Sequence, residues 1–146
     1  MYLLDTDVIS RTSPLSSAQA GLAAWLTVNG DRSFISVISL SEMQYGVTRL
    51  LERGAHRRAT ALRAWMNETL ALFADRVLPL DRAAAHRTGE ILAQSEARGH
   101  SPGFEDACLA ATADHHGMTV VTYNVRHFRT LGVPFLSPGR GEEDAP

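Results

Sequence analysis

The sequence predicts an α/β fold, a single domain with a mainly parallel sheet of four to five strands flanked by helices. Three observations carry this reading. Short apolar or β-branched runs recur at residues 2–4, 34–37, 77–80, 118–122 and 133–136. Between them lie segments with helical spacing of apolar residues, long enough to cross from one parallel strand to the next. No internal repeat or linker interrupts the body, and 146 residues suit one domain that builds its core without staples.

Taken in order, Tyr2-Leu3-Leu4 is a buried strand that ends abruptly on Asp5-Thr6-Asp7, and Val8 to Arg11 form a helical turn. A helix starts at Ser16 or Ser17, runs through Leu22, Trp25 and Leu26 to about Val28, and stops at Asn29-Gly30. After the second strand, Leu40, Met43, Val47, Leu50 and Leu51 share one helical stripe that Gly54 ends. The next helix, 55–73, turns Leu62, Trp65, Met66, Leu70 and Phe73 inward and Arg57, Arg58 and Arg63 to water. Pro79 places the third strand at a sheet edge. Asp81 caps an alanine-rich helix that Gly99 stops near Arg98. Residues 104–116 form a helix closed by Gly117; from Ala107 to Ala113 it is small or apolar almost all round, so it is expected to be buried centrally. Strand four follows, then a turn or short helix over 124–128 and a weak last strand. The domain is read as 1–136, with a polar, acidic tail over 137–146 that frays.

Composition excludes several classes. A hydrophobic content of 45% and a net charge of -2 describe an ordinary globular protein. No run approaches the 18 or so apolar residues that span a membrane, and the N-terminus lacks the basic region of a signal peptide. The lone Cys108 forms no internal disulfide; it fits a reducing cytoplasm and is expected in the core. All 14 basic residues are arginine, which excludes a catalytic lysine.

The chemistry concentrates in carboxylates at element boundaries. Ligands of open parallel sheets collect outside the carboxyl ends of the strands, where Asp5 falls. Asp7 either joins it or caps the turn that follows. Glu42 either closes a capping box with Ser39 or turns toward Asp5. Gly46, one turn later, costs about 0.8–1.0 kcal/mol relative to alanine inside a helix, and would leave space beside Glu42 for a metal or a substrate backbone. Glu105 and Asp106 open the buried helix, where acids favour the macrodipole; Asp106 is held at the core's edge. Thr122 and Asn124 offer a hydroxyl and an amide at the end of strand four, unless Asn124 only makes the turn. Two carboxylates 4 Å apart repel by roughly 4 kcal/mol at an effective dielectric of 20, so a cluster takes up protons or binds a hard cation. Oxygen-only ligands favour Mg²⁺ or Mn²⁺ over zinc. His115-His116 lack a partnering motif and read as charges at a helix end, whereas His127 is nearer the presumed site without an assigned role.

Four segments together resemble a known family: Leu-Leu-Asp-Thr-Asp-Val-Ile-Ser (3–10), Ser-x-x-Glu-x-x-x-Gly (39–46), Glu-Asp-Ala-Cys-Leu-Ala-Ala-Thr-Ala (105–113) and Val-Thr-Tyr-Asn-x-x-x-Phe (121–128). In this order and spacing they resemble PIN-domain ribonucleases, nearest the VapC-type toxins of bacterial toxin–antitoxin pairs, over residues 2 to about 136. The resemblance implies Mg²⁺-dependent endoribonuclease cleavage of structured RNA, a homodimer, and neutralisation by a small VapB-like antitoxin. It places Asp5, Glu42, Asp106 and Asn124 at the catalytic positions, with Asp5 and Asp106 on the metal. Asparagine at 124, where many PIN domains carry aspartate, bears on whether a second metal binds. Thr6, Asp7, Gly46 and Thr122 are then supporting residues, and Arg126 and Arg129 are expected phosphate contacts.

Two alternatives compete. A haloacid-dehalogenase-like phosphotransferase also begins with a strand and Asp-x-Asp, making Asp5 a nucleophile and Asp7 an acid, but it normally uses a lysine that this chain lacks. A PIN-like fold retained as an RNA- or protein-binding module is the other. Trp25 and Trp65 are read as core residues, with a dimer face as the alternative.

Overall fold

The computed structural model describes residues 1–17 and 21–139. Its sheet has five strands, β1 (Tyr2–Leu4), β2 (Ser33–Ser36), β3 (Val77–Leu78), β4 (Thr119–Val121) and β5 (Phe135–Leu136), in the order β3-β2-β1-β4-β5. Every pairing is parallel. The chain builds outward from β1 to β3 on one side, then returns to lay β4 against the other side of β1. The strand order therefore reverses between β1 and β4, which opens a crevice at their carboxyl ends.

Helices α1 (Thr6–Ser10), α2 (Leu22–Asn29), α3 (Val37–Glu52), α4 (His56–Phe73), α5 (Arg82–Ala97), α6 (Phe104–His115) and α7 (Val125–Phe128) cover the sheet. Alternation along the strands sends neighbours to opposite faces. Leu3 and Val120 join Ile91, Leu109, Ala110 and Phe128 in one core, whereas Leu4 and Val121 join Val8, Met43, Val47 and Trp65 in the other. Both faces of β1 are thus sealed, with Leu3 at 0% and Leu4 at 2% exposure. Helix α6 is buried at every residue from Ala107 to Ala113, and Cys108 is in the core, as expected.

Several boundaries differ from expectation. Helix α2 begins at Leu22 rather than Ser16 or Ser17: its preceding residue is Gly21, at a left-handed φ of 85° that suits glycine. Residues 18–20 of that expected helix lie outside the described residues. Helix α3 starts at Val37, because Ser36 accepts the Ile38 N–H and takes the cap expected of Ser39. Ser39 is instead inside the helix and buried, so no capping box with Glu42 forms. Asp81 does cap α5, accepting the Ala84 N–H at 2.8 Å. Trp65 is buried with its indole N–H on Thr12, whereas Trp25 is half-buried and packs edge-on against Tyr2 at 5.1 Å on the margin of the same core. The tail does not loosen at Ser137: Ser137 and Pro138 are buried, and Gly139 packs closely on Gly21. Residues 140–146 of the expected tail lie outside the described residues. No helix among the described residues is long and apolar enough to cross a membrane.

Candidate active site at the β1/β4 crevice

Asp5 closes β1. Its N–H donates to Val121 O at 2.9 Å, continuing the ladder to β4, and its carbonyl accepts from Val8 and Ile9 N–H to start α1. The side chain is thereby fixed at the crevice, only 8% exposed. Thr122, fully buried just past β4, donates its hydroxyl to Asp5 Oδ2 at 2.7 Å and accepts the Asn124 N–H at 2.8 Å. Burial and then the negative charges of Asp7, Asp106 and Glu42 push the Asp5 carboxyl up to about 7, against the Thr122 hydrogen bond.

The other acids converge from separate elements. Glu42 on α3 accepts the Thr6 hydroxyl through Oε2. Desolvation of its carboxyl raises its pKa, and the charges of Glu105, Asp106 and Asp7 raise it further. Asp106, in the first turn of α6, places Oδ2 at 2.8 Å from His127 Nδ1. The same His127 nitrogen lies 2.7 Å from the Asn124 side-chain amide. One ring nitrogen either donates to the carboxylate or accepts from the amide, so the state of His127 decides which partner it holds. A relay of contacts thus runs from Asp5 through Thr122 and Asn124 to His127 and Asp106.

Asp7 is engaged differently. Its carboxylate accepts the Tyr123 backbone N–H at 3.1 and 3.3 Å, pinning α1 to the loop after β4. Burial raises its pKa, and Tyr123 and the nearby Arg11 charge oppose the rise. Asp7 is therefore neither the cap of α1, whose cap residue is Asp5, nor a free acid for a phosphotransferase.

Every donor in this cluster is an oxygen, except for the imidazole of His127 behind Asp106. Carboxylates that burial, and then the charges of their neighbours, push toward protonation are the arrangement that a hard divalent cation relieves.

A family model described as PIN domain matches residues 2–133. The chain belongs to the PIN domain family. This PIN domain is 30% identical to the VapC ribonuclease Y4jK of Sinorhizobium fredii, over 94% of this chain and 97% of that protein. It is 31% identical to toxin FitB of Neisseria gonorrhoeae, over 94% and 98%. A solved structure of FitAB bound to an IR36 DNA fragment superimposes with a TM-score of 0.85 at 30% identity, covering 99% of each chain. Nucleases of this family depend on a metal, in keeping with the oxygen donors gathered here.

In this PIN domain the fold brings Asp5, Thr6, Glu42, Asp106, Thr122 and Asn124 together around one crevice. Gly46 lies one turn beyond Glu42 on α3. A Cβ built there would lie 3.6 Å from Leu62 Cδ2, so the glycine faces α4, and the nearest atom it would meet is a helix neighbour. Arg126 is exposed and lines a cleft of about 440 Å³ with His100, Ser101, Gly103, His127 and Thr130, beside Asp106. Arg129 is exposed on the same short stretch but does not line that cleft. His127 is the residue whose part the sequence left unassigned; its three-residue spacing from Asn124 across a helical turn was the available signal.

Proposed function

We propose that the protein is the ribonuclease toxin of a toxin–antitoxin pair, an Mg²⁺-dependent endoribonuclease acting on structured RNA in the cytoplasm. The observation that carries this reading is the convergence of Asp5, Glu42 and Asp106 at the strand-order reversal, with the Asp5 carboxyl raised to about 7. Asp5 and Asp106 would hold Mg²⁺, or Mn²⁺, directly or through water. Such an ion supplies charge stabilisation at the phosphate and lowers the pKa of water.

The protein's own residues do the rest. Thr122 keeps Asp5 in one rotamer, and Thr6 occupies Glu42 Oε2 so that Oε1 can take a proton from the attacking water. His127 holds Asp106 from behind when its Nδ1 carries the proton, and the Asn124 amide takes that nitrogen in the other tautomer. Arg126 in the polar cleft offers a guanidinium to the phosphate backbone, with Arg129 nearby for the same task. Asp7 positions the 123–124 loop. Likeness to toxins that pair with antitoxins supports a small VapB-like partner and a homodimer.

The test is cleavage of total RNA by antitoxin-free protein, with Mg²⁺ or EDTA, beside Asp5→Asn. Both EDTA and the substitution should lower the rate by about 100-fold or more. Equal breakdown in all arms would overturn the assignment.

A further inference from the structure

Helix α6 carries Asp106 at one end and a second group of ligating side chains at the other. His115 is its last residue, nine positions and roughly 14 Å of helix from Asp106. His116 is its C-cap, at φ -95° and ψ 4°, and Gly117 follows at φ 62°. Successive residues on a regular helix point about 100° apart and do not face each other. Here the chain leaves the helix at His116, and the two rings meet edge to face with centroids 4.9 Å apart.

Asp81 arrives from the start of α5, which packs antiparallel on α6. Its Oδ1 is occupied by the cap to Ala84, which leaves Oδ2 3.4 Å from His115 Nε2. One nitrogen of each ring and a carboxylate oxygen of Asp81 all lie within 4.8 Å of one another. His116 adds a second sign: its Nε2 is enclosed and has no hydrogen-bond partner among the described residues. Enclosed polar atoms without a partner are uncommon, and a bound ion is one of the things that completes them.

We propose that Asp81, His115 and His116 form a binding site for a borderline divalent transition ion of the Zn²⁺ class, separate from the acidic site at the other end of α6. Two imidazoles and one carboxylate suit Zn²⁺, Co²⁺ or Ni²⁺, whereas Mg²⁺ prefers oxygen ligands throughout. Bonds of about 2.0–2.2 Å bring tetrahedral ligands closer together than 4.8 Å, so the side chains must close by about an ångström. Asp81 and His115 are free to do so, with side chains 41% and 39% exposed, while their backbones sit on the ends of two packed helices. Three protein ligands leave a fourth position for water or for a donor from another molecule. The ion would clip the start of α5 to the end of α6, and α6 is the helix that places Asp106.

The experiment uses the full chain carrying Asp5→Asn and Asp106→Asn, which disables the acidic site, titrated with Co²⁺ and followed by its visible absorption. One equivalent should bind, Zn²⁺ should displace it, and millimolar Mg²⁺ should not. Asp81→Asn retains the helix cap, so it separates ligation from folding; it and His116→Gln should each weaken binding at least about tenfold. Zn²⁺ at about a hundredfold excess over its Kd should raise the Tm by about 5 °C or more. Absence of Co²⁺ binding, or binding unchanged in both variants, would overturn the site.

Discussion

Thr122 shows how one hydroxyl can serve two partners at a cluster of acids. It stabilises the ionised form of Asp5 and holds the Asn124 backbone at the same time. Thr122→Val keeps the shape and removes both bonds, leaving the Asn124 N–H to find another partner. We expect it to destabilise the fold by about 1–3 kcal/mol. It should also raise the Asp5 pKa further, so the acidic limb of the rate profile moves to higher pH; a limb that stays in place would separate Asp5 from that titration. Asp5 and Asp106 were legible in the sequence because one follows a strand and the other opens a helix, where boundary cues are strong; Glu42 lies six residues into α3 and stood out only through a capping-box spacing that does not form. The contact of His127 with Asp106 was not, since it spans 21 residues and is made by the packing of α7 beside α6. Asp7 was ambiguous for a related reason: its partner, the Tyr123 N–H, is 116 residues away.

Helices with a side chain at the cap were read closely, as at Asp81. Helix α3 was misjudged because Ser39, three residues before Glu42, fits the capping-box spacing, whereas Ser36, which does cap, has a serine at that place and is marked only by the end of β2. Parallel strands and their edges were legible from β-branching and Pro79, although most proved a residue or two shorter than expected. Gly46 tests how an element is used. If its role is to pack α3 beside α4, Gly46→Ala fits, because the new methyl meets Leu62 at an ordinary contact distance. The substitution should then stabilise the protein by about 0.5–1 kcal/mol through helix propensity and leave the RNA cleavage rate unchanged. A large loss of cleavage with intact stability would instead return Gly46 to the active site.

For the molecule as a whole, stability and site charge are linked. The Asp5 pKa is raised on folding from 3.8 to about 7, so protons favour the folded state. That contribution is complete below the unfolded value and is lost as pH rises through the folded one. In EDTA the protein should therefore lose about 2–3 kcal/mol between pH 5 and pH 8 from Asp5 alone, with Asp7 and Glu42 shifted in the same direction. Thermal melts should show this slope, Asp5→Asn should flatten it, and Mg²⁺ should recover more stability at pH 8 than at pH 5. A flat profile in EDTA would mean that burial and the neighbouring charges do not raise these carboxyls as their placement implies. The central position of β1 has a consequence for synthesis. Asp5 is made almost first, yet the hydroxyl that holds it arrives 117 residues later. On the ribosome the nascent chain thus carries its acids apart, with one edge of β1 unpaired, until β4 emerges. A chain terminated early, or caught before that strand docks, is expected to be harmless to the RNA around it, which delays toxicity until translation is nearly complete.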